Sequence, residues 1–101
     1  MSSYQIRMKV EALKDLNSAV DWYNEQKRNL GIKFQQQVVK QINSLKTNPQ
    51  GHSTVFTNVR CLVIKQFPFV VHYTVNDSQK MVDIFSVFHT NRDPDILDKR
   101  L

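Results

Sequence analysis

Between Gln26 and Asn76 the sequence contains no aspartate or glutamate, and the whole chain of 101 residues has one cysteine, two glycines and three prolines. Each shortage closes off a class of protein. Cys61, the single cysteine, allows no internal disulfide and makes a poor metal site. It lies in the apolar run from Cys61 to Ile64 and reads as a buried structural thiol. With so little glycine there is no loop to cradle a phosphate, and neither paired carboxylates nor clustered metal ligands occur at a working spacing. A nucleotide-dependent enzyme, a metalloenzyme and a bound cofactor are therefore not expected. No apolar run approaches the roughly 18 residues of a membrane span. The opening residues, Met-Ser-Ser-Tyr-Gln-Ile-Arg-Met-Lys, alternate polar and apolar side chains where a signal peptide would have an apolar core. The expectation is a cytoplasmic protein with no membrane partner.

What is present fits one ordered domain over residues 1–101, with 41% hydrophobic and 23% charged residues and no repeats or low-complexity tracts. The net charge of +5 is concentrated in the acid-free middle, which holds Lys27, Arg28, Lys33, Lys40, Lys46, Arg60 and Lys65. Such a surface speeds association with an anionic partner, either nucleic acid or an acidic protein segment; a merely soluble basic surface is the plainer reading.

Tyr4, Ile6, Met8 and Val10 alternate with polar residues, the period of a strand with one buried face. From Glu11 to Arg28, Leu13, Leu16, Val20 and Tyr23, with Ala12 and Ala19, recur at helical spacing. Asn29-Leu30-Gly31 breaks that pattern, with Gly31 suited to the left-handed conformation that closes a helix. A second helix is predicted from about Ile32 to Lys46, ended by Asn48-Pro49-Gln50-Gly51, and so short a connection makes an antiparallel helical hairpin. Thr54–Val59, Cys61–Phe67, Phe69–Val75 and Met81–Phe88 read as an antiparallel meander. The expected fold is α+β, in the order β-α-α-β-β-β-β, with the hairpin across one face of a twisted antiparallel sheet.

Both faces of the last two strands carry large apolar groups: Phe69, Val71, Tyr73 and Val75 against Val70 and His72, then Val82, Ile84 and Phe88 against Met81, Phe85 and Val87. One hairpin covers one face. The other must be screened by residues Asp95 to Leu101 or by another chain, so a binding partner is expected.

Several strings, in order, resemble the RelE/ParE superfamily of type II toxin-antitoxin toxins, also called plasmid stabilisation proteins. They are Ala19-Val20-Asp21-Trp22-Tyr23-Asn24-Glu25-Gln26, Leu30-Gly31 with Phe34, Asn48-Pro49, Val59-Arg60, Phe67-Pro68-Phe69-Val70-Val71-His72-Tyr73 and Val87-Phe88-His89-Thr90-Asn91-Arg92-Asp93-Pro94. They span nearly the whole chain and look more like the ParE-type branch than the shorter, more basic RelE-type ribonucleases. The resemblance implies a bacterial growth-inhibiting toxin neutralised by a small antitoxin and directed at DNA gyrase, a role that needs a binding surface and no catalytic group. The alternatives are a RelE-like ribosome-dependent mRNA endonuclease and a non-toxic binding module on the same fold.

The nuclease reading needs a base, a proton donor and cations for a phosphate whose charge grows during attack by the 2′-hydroxyl. Its candidates are His89 as acid or base with Arg60 and Arg92 as phosphate ligands. Lys65, His72, Phe85 and Val87 are candidates for nucleic-acid or partner binding. RelE-type enzymes usually carry a functional tyrosine near the C-terminus, whereas the last tyrosine here is Tyr73. The structural alternatives are that His89 hydrogen-bonds the turn at Arg92-Asp93, that Asp93 caps a helix from Pro94 to Arg100, and that Arg92 pairs with a carboxylate. Trp22 and Tyr23 read as an aromatic pair packed between hairpin and sheet.

Overall fold

A computed structural model of the chain describes residues 3–92, 99 and 100. The predicted element order is the one found: β1 (Gln5–Met8), α1 (Val10–Gln26), α2 (Leu30–Ser44), β2 (Thr54–Phe56), β3 (Val59–Val63), β4 (Phe69–Asn76) and β5 (Met81–His89). A short 3-10 turn, Pro49–Gly51, follows α2. The strands form one sheet in the order β1-β5-β4-β3-β2. The meander is antiparallel as expected, but β1 pairs parallel with β5, so the sheet is mixed. The long path through hairpin and meander returns the chain beside β1 in the same direction, which no tight turn could do. Among the described residues no helix is long and apolar enough to cross a membrane.

The core lies between hairpin and sheet. Ala12, Leu16, Ala19 and Tyr23 from α1 and Phe34, Val38, Ile42 and Leu45, on or just after α2, pack on Leu62, Ile64, Phe69, Val71, Tyr73, Val82, Ile84 and Val87. Tyr23, Phe34, Phe67 and Phe69 make an aromatic knot, with ring centroids 4.8 to 6.0 Å apart. Two expectations about this layer fail. Trp22 is 55% exposed: it stands one helical step off the buried stripe and meets the core only edge-on through Tyr23. Leu13 is exposed for the same reason.

Gly31 does not close a helix either. Asn29 takes the left-handed conformation, at φ 66°, while Gly31 sits inside α2. A Cβ on Gly31 would run into the carbonyl oxygen of Val20 and the side chain of Asn24, so glycine is needed for close approach of the helices. The Gly31 N–H then donates to Asn24 Oδ1 at 2.7 Å, and α1 thereby supplies a cap for an open N–H of α2.

β5 departs from simple alternation. His72 faces Ser86 but Tyr73 faces Ile84, leaving Phe85 as an extra residue in a bulge. The alternation therefore inverts after Ile84. Val82, Ile84 and Val87 face the hairpin, while Phe85 and Phe88 join Val59 and Val70 on the opposite face. Val87 and Phe88 thus exchange the faces expected for them.

Helix side chains bond the stretches that the short edge strands leave unpaired. β1 pairs only as far as Ile84, and beyond it Val87 N–H donates to Asp15 Oδ2 of α1 at 3.1 Å while Phe85 O accepts from Arg100. At the other side β2 pairs with β3 only near its start. There Gln41 of α2 accepts from Lys65 N–H at 2.8 Å and donates to Val63 O at 2.8 Å, taking the place of a further strand.

Candidate functional site

The residues singled out by sequence fall into three places. His89 ends β5 beside α1, in a cleft of about 380 Å³ shared with Lys14, Ser18 and Arg92. His89 Nδ1 accepts from Asn91 N–H at 3.1 Å, so in the neutral ring the proton sits on Nε2, and the ring stands edge-on to Phe69. Arg92 N–H donates to His89 O at 2.9 Å, closing the turn that the sequence suggested. The Arg92 guanidinium lies over the Phe88 ring, 4.4 Å from its centroid, and 3.6 Å from Asp15 Oδ1. Arg92 therefore has the carboxylate partner of its structural reading. The proposed cap at Asp93 and the helix from Pro94 lie outside the described residues.

Arg100 reaches the same carboxylate, donating to both Asp15 oxygens at 2.6 and 3.1 Å, and its guanidinium lies 4.8 Å from the Phe88 centroid. The bond to Asp15 raises its already high pKa, so it stays charged. The 7% exposed Asp15 side chain is thus an anchor for two arginines and one strand amide. Sequence reading missed Asp15; its signal was an acid set between Ala12, Leu16 and Ala19 of the buried α1 stripe.

Arg60 is elsewhere. It pairs with Tyr73, whereas His89 pairs with Phe69, four positions along β4. At about 3.3 Å per residue that is about 13 Å along the strand, besides two strand spacings across the sheet. The Arg60 guanidinium donates to Gln50 O at 3.2 Å and His52 O at 2.6 Å, holding the loop after the 3-10 turn. Tyr73 braces that loop, donating to Pro49 O at 2.6 Å from a buried site that pushes its hydroxyl pKa up to about 12. His89, Arg92 and Arg60 do not converge on one phosphate.

The third place is the sheet face away from the hairpin. His72 Nδ1 lies 2.8 Å from the hydroxyl of fully buried Ser86, and its ring is edge-on to Phe88. Burial lowers the His72 pKa, so the imidazole is neutral at physiological pH. Burial also pushes the neighbouring Cys61 thiol up, which keeps it protonated and unreactive. Phe85 lies on this face, with Lys9 Nζ 5.8 Å from its ring centroid. Val87 does not: the bulge turns it toward the hairpin, where it is buried. Arg92 and Arg100 screen Phe88, so a C-terminal residue does reach this face; residues 93–98 and 101 of the expected screen lie outside the described residues. Val63, at the far end of β3, is 63% exposed, and Val55 and Phe56 of β2, which pairs with the start of β3, are also exposed. Lys65 lines a separate cleft between α2 and the end of β3.

Residues 6–94 match the family described as the ParE toxin of the type II toxin-antitoxin system parDE. None of the curated proteins matches the chain in sequence. Among solved structures, that of the chromosomal ParDE toxin-antitoxin system from P. aeruginosa superposes with a TM-score of 0.76 at 22% identity, over 85% of this chain and 95% of that one. The toxin-antitoxin complex RelBE2 from Mycobacterium tuberculosis gives 0.65 at 18% identity, over 88% and 93%. Both likenesses are of fold.

Proposed function

The chain belongs to the ParE toxin family of type II toxin-antitoxin systems, and from that premise we propose that it arrests growth in the bacterial cytoplasm by binding DNA gyrase rather than by cutting RNA. The observation that carries this reading is the separation of Arg60 from His89, together with the carboxylate that engages Arg92. Arg60 is committed to two loop carbonyls at one end of the sheet, and Arg92 is drawn to Asp15 and Phe88 at the other. That leaves the His89 cleft without Arg60 and with an Arg92 already partnered by Asp15 beside Lys14, whereas acid-base catalysis of phosphoryl transfer needs cations free to face one phosphate.

An antitoxin fits the surface. The exposed apolar side chains Val55, Phe56 and Val63 lie in the part of the chain that has seven lysines and arginines and no acid. A small partner with apolar anchors and acidic residues would cover the first and be drawn by the second. Both solved relatives come from toxin-antitoxin systems, which supports the same pairing here.

Inducible expression in a bacterial host tests the proposal. Growth arrest that persists in His89→Ala, without new cuts in messenger RNA, is the expected result. Codon-linked cuts that disappear in His89→Ala would establish the nuclease instead, and a host that grows normally while the folded protein accumulates would leave only the binding-module alternative.

A further inference from the structure

A cleft of about 450 Å³ between α2 and the end of β3 carries no role in the proposed mode of action. One wall is α2, through Gln37, Lys40 and Gln41; the other brings Lys65 and His52, and buried Leu62 lies at the base. No carboxylate lines it, and neither lysine makes an ion pair among the described residues. Two ammonium groups facing one acid-free cleft repel each other unless an anion lies between them.

The walls are also fixed in place. Gln41 is held by Gln37, Lys65 N–H and Val63 O, which pins the backbone that carries Lys65. Arg60 clamps the carbonyl of His52 and so sets that side of the opening. Arg60, expected as a phosphate ligand, instead holds the loop that brings His52 to such a site.

We infer that this cleft binds the phosphodiester backbone of a single-stranded nucleic acid, with Lys40 and Lys65 on phosphates and the glutamine amides on sugar or base edges. The lining favours this occupant over an acidic peptide. Its functional groups are ammonium, amide, hydroxyl and imidazole, and the one aliphatic residue lining it is buried Leu62, which gives a peptide's apolar side chains little to anchor on, whereas a sugar-phosphate chain is polar throughout. His52 is the one ring in the lining, so stacking is minor and binding is tolerant of base sequence. The inference does not rest on the gyrase reading.

The test is fluorescence anisotropy of a labelled short oligothymidylate against the whole protein over a range of salt. The double variant Lys40→Gln/Lys65→Gln should bind at least about tenfold more weakly, with a salt slope smaller by about 1.4, at about 0.7 per phosphate contact on a single strand. Lys40→Arg/Lys65→Arg should retain binding, and Lys27→Gln/Lys33→Gln, with the same net charge at other exposed sites, should lose much less. Circular dichroism of each variant reports folding. Equal loss in the two glutamine doubles would reduce the effect to overall charge and overturn the inference. So would a cleft that binds oligoglutamate in a Lys40- and Lys65-dependent way while leaving the oligonucleotide free. Growth arrest by the glutamine double leaves the toxin reading standing whichever result is obtained.

Discussion

Replacing Asp15 by alanine should be among the most destabilising changes outside the apolar core. The carboxylate is 7% exposed and accepts from Val87 N–H, from Arg100 twice, and sits 3.6 Å from Arg92. Its loss strands the Val87 amide at an edge that β1 does not reach, at about 1–3 kcal/mol for an unmade buried hydrogen bond. It also leaves the guanidinium of Arg100, 16% exposed, with Phe85 O as its remaining acceptor among the described residues. Breaking a fully buried pair costs about 3–5 kcal/mol, and the partial exposure of Arg100 and the second arginine reduce that share here. The expected total is about 2–4 kcal/mol, which for a domain of this size lowers the melting temperature by about 10–20 °C. Asp15→Asn keeps an acceptor for Val87 and loses the charge, so it should fall about midway. Urea denaturation of the three proteins, followed by circular dichroism, gives the differences. A change within about 0.5 kcal/mol for Asp15→Ala would refute the argument that this carboxylate closes the sheet edge.

Three further outcomes follow from the same contacts. Burial lowers the folded-state pKa of His72, so the unfolded chain holds more protons below the ordinary value of 6.5; stability should be complete above that pH and decline as pH falls toward the lower folded value, and the decline should flatten in His72→Gln when urea midpoints are compared between pH 7 and 5. Gly31→Ala gains about 1 kcal/mol of helix propensity but sets a methyl against the Val20 carbonyl and Asn24, and the overpacking of about 1–3 kcal/mol should dominate, read as a net fall in thermal midpoint; a rise would show that the helices separate freely. Gln41→Ala should cost about 1 kcal/mol and speed hydrogen exchange at the Lys65 amide, whose acceptor it removes.

The features legible from sequence were those that local periodicity encodes. The helices, the meander and the two-faced apolar strands follow from spacing alone, and the strings from Ala19 to Pro94 carried the family. What escaped depends on partners distant in sequence. The Phe85 bulge appears only when β5 is laid against β4, yet it decides that Val87 is core and Phe88 is outside. Trp22 and Tyr23 are adjacent and both aromatic, and their opposite fates are set by one helical step relative to a sheet the sequence does not position. Gly31 carried a turn signal because glycine commonly closes helices, but its missing side chain answers to Val20, eleven residues away. At the candidate site, the anchors Asp15 and Arg100 are separated by 85 positions, so neither attracts notice until they meet. Arg60 looked like a phosphate ligand because a strand-end arginine shows its charge in sequence and hides its hydrogen bonds.

The central claim, that this toxin acts by binding and not by catalysis at His89, is tested most directly with purified components. DNA gyrase is incubated with supercoiled or relaxed plasmid and ATP, and wild-type protein and His89→Ala are added in parallel with a translating-ribosome reaction programmed by one messenger RNA. The account predicts that both proteins block supercoiling or accumulate cleaved plasmid while the messenger RNA stays intact. Unaffected gyrase, together with messenger RNA cut by the wild type and spared by His89→Ala, would contradict it.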